Sequence, residues 1–161
     1  MSGGSHNFRE IFQGFDDLGA IRSIFGQTAS AELDKLKIEV FPREGYMGVS
    51  DEDGHIFASQ QYLNQGEEWS VYLDIIHELV HVKQFQKGMN LFDPRYAYVD
   101  RPTEIEAYRV SVEEGRKIGM SEQELFAYLE VPWISKQEHE RLARACGIVF
   151  EKDGKSKRKK E

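Results

Sequence analysis

The chain has 161 residues and a formal net charge of −7, with 40% hydrophobic and 30% charged residues. These values are ordinary for a soluble globular protein of one domain, and no apolar run approaches the roughly 18 residues that a membrane span needs. The acidic balance argues against a general nucleic-acid-binding fold.

The two ends of the chain differ from the rest. Residues 1–7 predict a flexible lead without the pattern of a signal peptide. Residues 151–161, with six basic against three acidic side chains, predict a disordered basic tail. We expect residues 1–150 to form one domain, and only the tail to contact polyanions such as nucleic acids. The single cysteine, Cys146, excludes an intramolecular disulfide, and together these features predict a cytoplasmic protein.

The first part of the chain predicts helices followed by strands. Apolar residues recur at helical spacing over residues 8–25 and predict one or two short helices. We expect this aromatic segment to belong to the core; the alternative is that it lies over a cleft and restricts access. Three candidate strands follow at residues 36–41, 46–50 and 55–59. The last two flank the sequence DEDG at residues 51–54, a turn signal that is typical of a hairpin.

The longest helical pattern covers residues 67–87, without internal glycine or proline, and carries the sequence HELVH at residues 77–81. His77 and His81 are four residues apart and therefore share one face of a helix, where both imidazoles can bind one metal ion. Glu78 sits close enough to hold a metal-bound water as a general base. The pattern predicts a zinc hydrolase rather than a helix with two incidental histidines. A polar stripe runs beside the apolar one and consists of Ser70, Asp74, His77, His81 and Gln84.

A third metal ligand must come from another part of the chain, because catalytic zinc usually has three protein ligands and a water. Residues 103–117 predict a second helix, with Thr103 as N-cap and Glu106 in the capping-box position. We expect the ligand at the start of this helix, from Glu104 or from its competitor Glu106. Only one of the two can face the metal, since residues two apart on a helix point about 200° apart. Ala107 would let the two helices approach closely.

The predicted architecture is α+β. A small, mostly antiparallel sheet of about three strands is expected to pack on the helix with the two histidines and on the helix with the glutamate. Two more helices are expected near the C-terminal end. One starts at Ser121, and the other covers residues 135–146 and is closed by Gly147.

With these residues in place, the sequence resembles the gluzincin peptidases, whose pattern is HExxH followed by a downstream glutamate helix of the form ExxA or ExxS. It is most similar to the compact minigluzincins, and to the soluble cores of the CAAX-processing and heat-shock membrane peptidases. The resemblance covers residues 55–116 and includes EIEA at residues 104–107. It implies a zincin-like fold, a Zn²⁺ cofactor, and a peptide or protein substrate. The site residues that it implies are the metal ligands His77, His81 and Glu104 and the general base Glu78.

The resemblance also implies a mechanism of peptide-bond hydrolysis. A zinc-activated water would attack the scissile carbonyl while Glu78 takes its proton. One further donor would stabilise the oxyanion, and Tyr96 or Tyr98, in the loop before the glutamate helix, is the candidate. In this family the strand before the metal helix often forms the upper rim of the cleft, where its open edge can pair with an extended peptide. Here that strand is expected at residues 55–61.

The sequence departs from the gluzincin pattern at Tyr108, where many members carry an aspartate that orients a zinc-bound histidine. We expect Tyr108 or a backbone carbonyl to replace that carboxylate. The departure motivates an alternative function, a zinc-stabilised peptidase-like binding or regulatory module with little or no turnover. A latent peptidase, covered by residues 8–25, lies between the two. A third histidine ligand is disfavoured because no histidine lies between His81 and His139, and a peptide deformylase would need a cysteine ligand.

Overall fold

The computed structural model describes residues 4–15 and 18–151 of the chain. Over these residues the architecture is α+β, with a four-stranded mixed sheet. The strands are β1 (Gly4–Asn7), β2 (Lys37–Phe41), β3 (Met47–Val49) and β4 (Ile56–Ser59). The α-helices are α1 (Phe8–Ile11), α2 (Gly19–Phe25), α3 (Ala29–Lys35), α4 (Gln60–Gln65), α5 (Glu68–Gln86), α6 (Pro102–Lys117), α7 (Glu122–Tyr128) and α8 (Lys136–Ala145).

The strands follow the order β1-β2-β4-β3 across the sheet. The predicted hairpin is confirmed, because β3 and β4 pair antiparallel around the turn that ends at Gly54. The pairing of β1 with β2 is also antiparallel, whereas β2 and β4 run parallel. The sheet has one strand more than the sequence predicts. The flexible lead expected at residues 1–7 is wrong for residues 4–7, which form β1 because the edge of β2 is available to pair with them.

Helix α5 lies between two hydrophobic clusters. The first is formed by the sheet, the N-terminal helices and one side of α5, and it includes Phe8, Ile21, Ile38, Ile76 and Leu79. The second lies between α5, α6 and the C-terminal helices, and it includes Leu73, Val112, Leu125, Leu129 and Leu142. The expectation that the aromatic segment at residues 8–25 belongs to the core is confirmed for its described residues. An apolar helix buried on two sides leaves only a narrow polar stripe for other contacts.

The structure agrees with two of the three predicted starts of helices in this part of the chain. Ser121 and Ser135 each accept a hydrogen bond from the backbone N–H three residues on, in complete capping boxes. The predicted N-cap at Thr103 is wrong, since α6 begins one residue earlier with Pro102. Proline suits this first helical position, because its fixed φ matches the helix and no N–H is lost there. The hydroxyl of Thr103 donates instead to the carbonyl of Leu91.

None of the helices in the described ranges is both long and apolar enough to cross a lipid bilayer. The basic tail predicted at residues 151–161 lies, apart from Glu151, outside the described residues.

Candidate functional site

Helices α5 and α6 bring the three predicted metal ligands together. His77 and His81 project from α5 and Glu104 from the first turn of α6, and all three residues are only 4–5% exposed. The Nε2 atoms of the two imidazoles are 3.0 Å apart. His77 Nε2 lies 3.1 Å from Glu104 Oε1, and His81 Nε2 lies 3.2 Å from Glu104 Oε2. These donor atoms are close enough to hold one metal ion.

The spacing of these atoms fits a first-row transition metal. With bonds of about 2.0–2.1 Å, the ligand atoms of a tetrahedral zinc ion lie about 3.3 Å apart. Two imidazole nitrogens and one carboxylate are also donors that such ions accept. Of the two glutamates at the start of α6, Glu104 faces the imidazoles. Glu106 is exposed and accepts a hydrogen bond from Gln84 Nε2 at 2.7 Å, so it does not compete for the ion.

Gln84 holds His81 in place and was not identified as a site residue from the sequence. Its Oε1 lies 2.7 Å from His81 Nδ1, while its Nε2 donates to the carbonyl of Thr103 and to Glu106. With Nδ1 donating to this amide, the Nε2 lone pair of His81 is directed at the ligand site. The one signal in the sequence is the position of Gln84 on the polar stripe, three residues after His81. An amide that bridges two helices is recognisable only once both helices are placed.

His77 is positioned by packing. Its Nδ1 is buried and has no hydrogen-bond partner among the described residues. The ring of Tyr108 lies against the imidazole, with ring centroids 4.2 Å apart, and the Tyr108 hydroxyl is 2.7 Å from that of Tyr98. The expectation that Tyr108 or a backbone carbonyl replaces the family's aspartate as a hydrogen-bond partner is therefore wrong. Tyr108 instead supports the flat face of the ring.

Glu78 lies beside the ligand set without a partner of its own. It is 8% exposed, and its side chain forms no hydrogen bond or ion pair with any residue in the described ranges. Its carboxylate lines the two cavities that flank the site. Burial raises the pKa of Glu78, although the neighbouring histidines partly oppose that rise. A buried carboxylate that is not engaged elsewhere is available to accept a proton from a molecule in the cleft.

The ligands themselves form a buried ion pair. Burial acts to raise the pKa of Glu104, but the hydrogen bonds from His77 and His81 outweigh it and hold that pKa well below the ordinary value. Burial acts to lower the pKa of His81, but its hydrogen bond to Glu104 and the charge of Glu104 raise it to about 9. A metal ion must therefore displace a proton from this pair in order to bind.

Two cavities of about 180 Å³ and about 310 Å³ open on either side of Glu78. The smaller one is bounded by β3, which is an edge strand of the sheet. The rim strand expected at residues 55–61 is therefore wrong: β4 is paired on both sides, and α4 begins directly after it. Residues common to both cavities are Met47, His77, Glu78, Tyr98 and Trp133.

The two tyrosines proposed as oxyanion donors lie in different places. Tyr98 lines both cavities, whereas Tyr96 is 41% exposed, lies under Arg95 and lines neither. The described part of residues 8–25 also lines neither cavity, and its aromatic side chains pack in the first hydrophobic cluster. This segment does not cover the cleft, whose walls include the exposed side chains of Phe92 and Trp133.

The fold and the site define an α+β protein with a buried His–His–Glu ligand set at the junction of two helices. Comparison of the chain with models of known families, with curated proteins and with solved structures gives no match. What the protein does must therefore be argued from the geometry of the site.

Proposed function

We propose that this protein is a zinc-dependent peptidase of the gluzincin type, with a zincin-like fold. The observation that carries the proposal is the convergence of His77, His81 and Glu104, at donor distances of 3.0–3.2 Å, beside the unpartnered Glu78. A buried ligand set of this composition, open to a cleft and next to a carboxylate, is the arrangement expected of a metal-assisted hydrolase.

The residues of the site have distinct roles in this proposal. A zinc ion held by His77, His81 and Glu104 would act as a Lewis acid and lower the pKa of a water molecule towards about 7. Glu78 holds the proton from that water on its carboxylate and passes it to the leaving amine. Tyr98 donates a hydrogen bond from its hydroxyl to the carbonyl oxygen on which negative charge develops.

The substrate that fits this cleft is an extended peptide. Strand β3 lies at an edge of the sheet and bounds the smaller cavity with Met47, Gly48 and Val49. An edge strand offers backbone N–H and C=O groups that pair with an added strand, so affinity can come from the main chain of the substrate. The side chains on either side of the scissile bond would then enter the two cavities beside Glu78.

The test is the replacement Glu78→Gln, with Glu68→Gln as a matched control on an exposed position of the same helix. We expect both variants to bind one zinc per chain, measured by metal analysis. We expect Glu78→Gln to lower the rate of peptide cleavage by about 100- to 10,000-fold, because it removes general-base catalysis. Cleavage at the wild-type rate in Glu78→Gln, or equal losses in both variants, would contradict the role of Glu78.

A second candidate function is supported by the missing partner of His77 Nδ1. A hydrogen-bond acceptor at that atom normally raises the basicity of a zinc-bound imidazole, and its mutation weakens activity in metalloenzymes. The protein would then be a zinc-stabilised binding or regulatory module with little or no turnover. This candidate predicts one bound zinc and a melting temperature that falls with chelator. It differs from the peptidase in predicting no hydrolysis across a broad peptide library.

A further inference from the structure

The larger cavity beside Glu78 has an aromatic wall. It occupies about 310 Å³ and runs from His77 and Glu78 towards α7 and the loop that follows it. Rings from six separate parts of the chain meet here, and several are in contact, such as Tyr46 with Trp133 at a centroid distance of 5.5 Å. The rings are Tyr46, Tyr62, Tyr98, Tyr108, Tyr128 and Trp133.

The charged side chains of this cavity are all acidic. Asp74, Glu78 and Glu130 line it beside the candidate ligand His77, and no lysine or arginine from the described part of the chain does. Both carboxylate oxygens of Asp74 accept phenolic hydrogen bonds, one from Tyr62 and one from Tyr128 at 2.9 Å. Burial raises the pKa of Asp74, whereas these two hydrogen bonds and the charge of His77 act to lower it. The side chain of Glu130 is exposed and makes no hydrogen bond or ion pair with a described residue.

The larger cavity remains negatively charged when a divalent ion is assumed at His77, His81 and Glu104. Two positive charges at the ligand set would be balanced by the carboxylates of Glu104 and Glu78. The carboxylate of Glu130 and the acceptor oxygens of Asp74 remain, so the larger cavity keeps negative charge together with aromatic faces. The smaller cavity differs, since its wall away from the ligands is apolar and includes Val49 and Phe92. Aromatic faces combined with carboxylates favour an organic cation over a neutral group of the same shape.

We propose that the larger cavity binds the cationic side chain of a lysine or arginine residue adjacent to the scissile bond of the substrate. The inference rests on the proposed function for the scissile bond, but binding of the cation does not require hydrolysis. A wall of aromatic rings without charge would instead take a neutral aliphatic or aromatic side chain. The contrast between a cation and its uncharged isostere therefore decides between the two.

The experiment measures binding and cleavage separately. Nα-acetyl-lysine N-methylamide and the uncharged Nα-acetyl-norleucine N-methylamide are titrated into the zinc-loaded protein, and dissociation constants are taken from ¹H–¹⁵N NMR shifts. The same protein is incubated with peptides that differ only in lysine, arginine, norleucine or glutamate at one position, and products are identified by mass spectrometry. Glu130→Gln tests whether the charge of Glu130 contributes to the preference for the cation. Glu113→Gln is the charge-matched control, because Glu113 is exposed and lines neither cavity.

We expect the lysine probe to bind roughly 2- to 30-fold more tightly than the norleucine probe, with shifts at Trp133 and its neighbours. Glu130→Gln should lower this preference by about two- to fivefold, whereas Glu113→Gln should not. Equal binding of the two probes, or an identical preference in the two variants, overturns the proposal. Cleavage without preference for basic residues overturns it as well. If the lysine probe is preferred and no peptide is cut, the cavity assignment holds and the peptidase function fails.

Discussion

Two tyrosine side chains at the edge of the ligand set are hydrogen-bonded to each other. Tyr98 and Tyr108 lie with their oxygens 2.7 Å apart, and either can donate to the other. Burial raises the pKa of both phenols well above the ordinary value, so both stay protonated at neutral pH. When Tyr108 donates to Tyr98, the proton of Tyr98 is free to point into the cleft. The ring of Tyr108 meanwhile stays against His77.

Replacing each hydroxyl in turn separates these roles. We expect Tyr98→Phe to lower kcat by about 100-fold or more with little change in KM, because it removes a donor to the developing oxyanion. Tyr108→Phe removes the same tyrosine–tyrosine hydrogen bond but keeps the ring on His77, so its kcat should fall much less. Tyr96→Phe should match wild type, since that side chain lies outside the cleft. Steady-state kinetics on one peptide would show this, and equal losses in Tyr98→Phe and Tyr108→Phe would contradict it.

Among the elements, α5 and α6 were predictable because their signals are local. Hydrophobic periodicity, the HExxH spacing and the glutamate one helix later are all visible in short windows of sequence. Strand β1 and the parallel pairing of β2 with β4 were not, since they depend on contacts such as His6 opposite Ile38, far apart in the chain. That pairing also decides which strand is at the edge. The sequence therefore predicts the strand that became β4 as the rim of the cleft, whereas the strand at that edge is its neighbour β3.

A small buried side chain lies on the face of α6 that carries Glu104. Ala107 is fully buried, one helical turn after Glu104, and α6 packs on α5 more extensively than on any other helix. We expect Ala107→Leu to lower the free energy of unfolding by about 1–3 kcal/mol through overpacking. It should also weaken zinc binding, because it separates Glu104 from the histidines. Ala127→Leu, at an exposed position of α7, is the control and should change neither property. Urea denaturation and zinc competition would measure both, and unchanged zinc affinity in Ala107→Leu would contradict the coupling.

At the scale of the whole molecule, the fold completes the site with residues that lie far apart in the sequence. The three candidate metal ligands were predicted from two motifs, but the carboxylate of Asp74 accepts a hydrogen bond from Tyr128, 54 positions further along the chain. Trp133 likewise reaches the cavity from the loop before α8. Such contacts depend on how α7 and α8 pack on the second hydrophobic cluster, which no short pattern encodes. The clustering of His77, His81 and Glu104 was therefore predictable from the sequence, and the shape of the cleft beside them was not.

Labelling of Cys146 can test whether the candidate metal site is coupled to the second hydrophobic cluster. This cysteine is 7% exposed in the second hydrophobic cluster, to which Tyr108 also belongs. Burial raises the pKa of its thiol to about 11. At pH 8 only roughly 0.1% of such a thiol is ionised, so labelling requires the cluster to open.

We expect zinc to slow the labelling of Cys146 by a thiol reagent. If the cluster opens together with the metal centre, free zinc at 100 times its dissociation constant should slow labelling about 100-fold, because the ion binds only the closed state. In Glu104→Ala, which lacks a ligand, zinc should leave the rate nearly unchanged. Labelling followed by absorbance in zinc buffers measures both rates. A wild-type rate that is independent of zinc would show that the second cluster opens without disturbing the junction of α5 and α6, and the metal would then stabilise only its immediate surroundings.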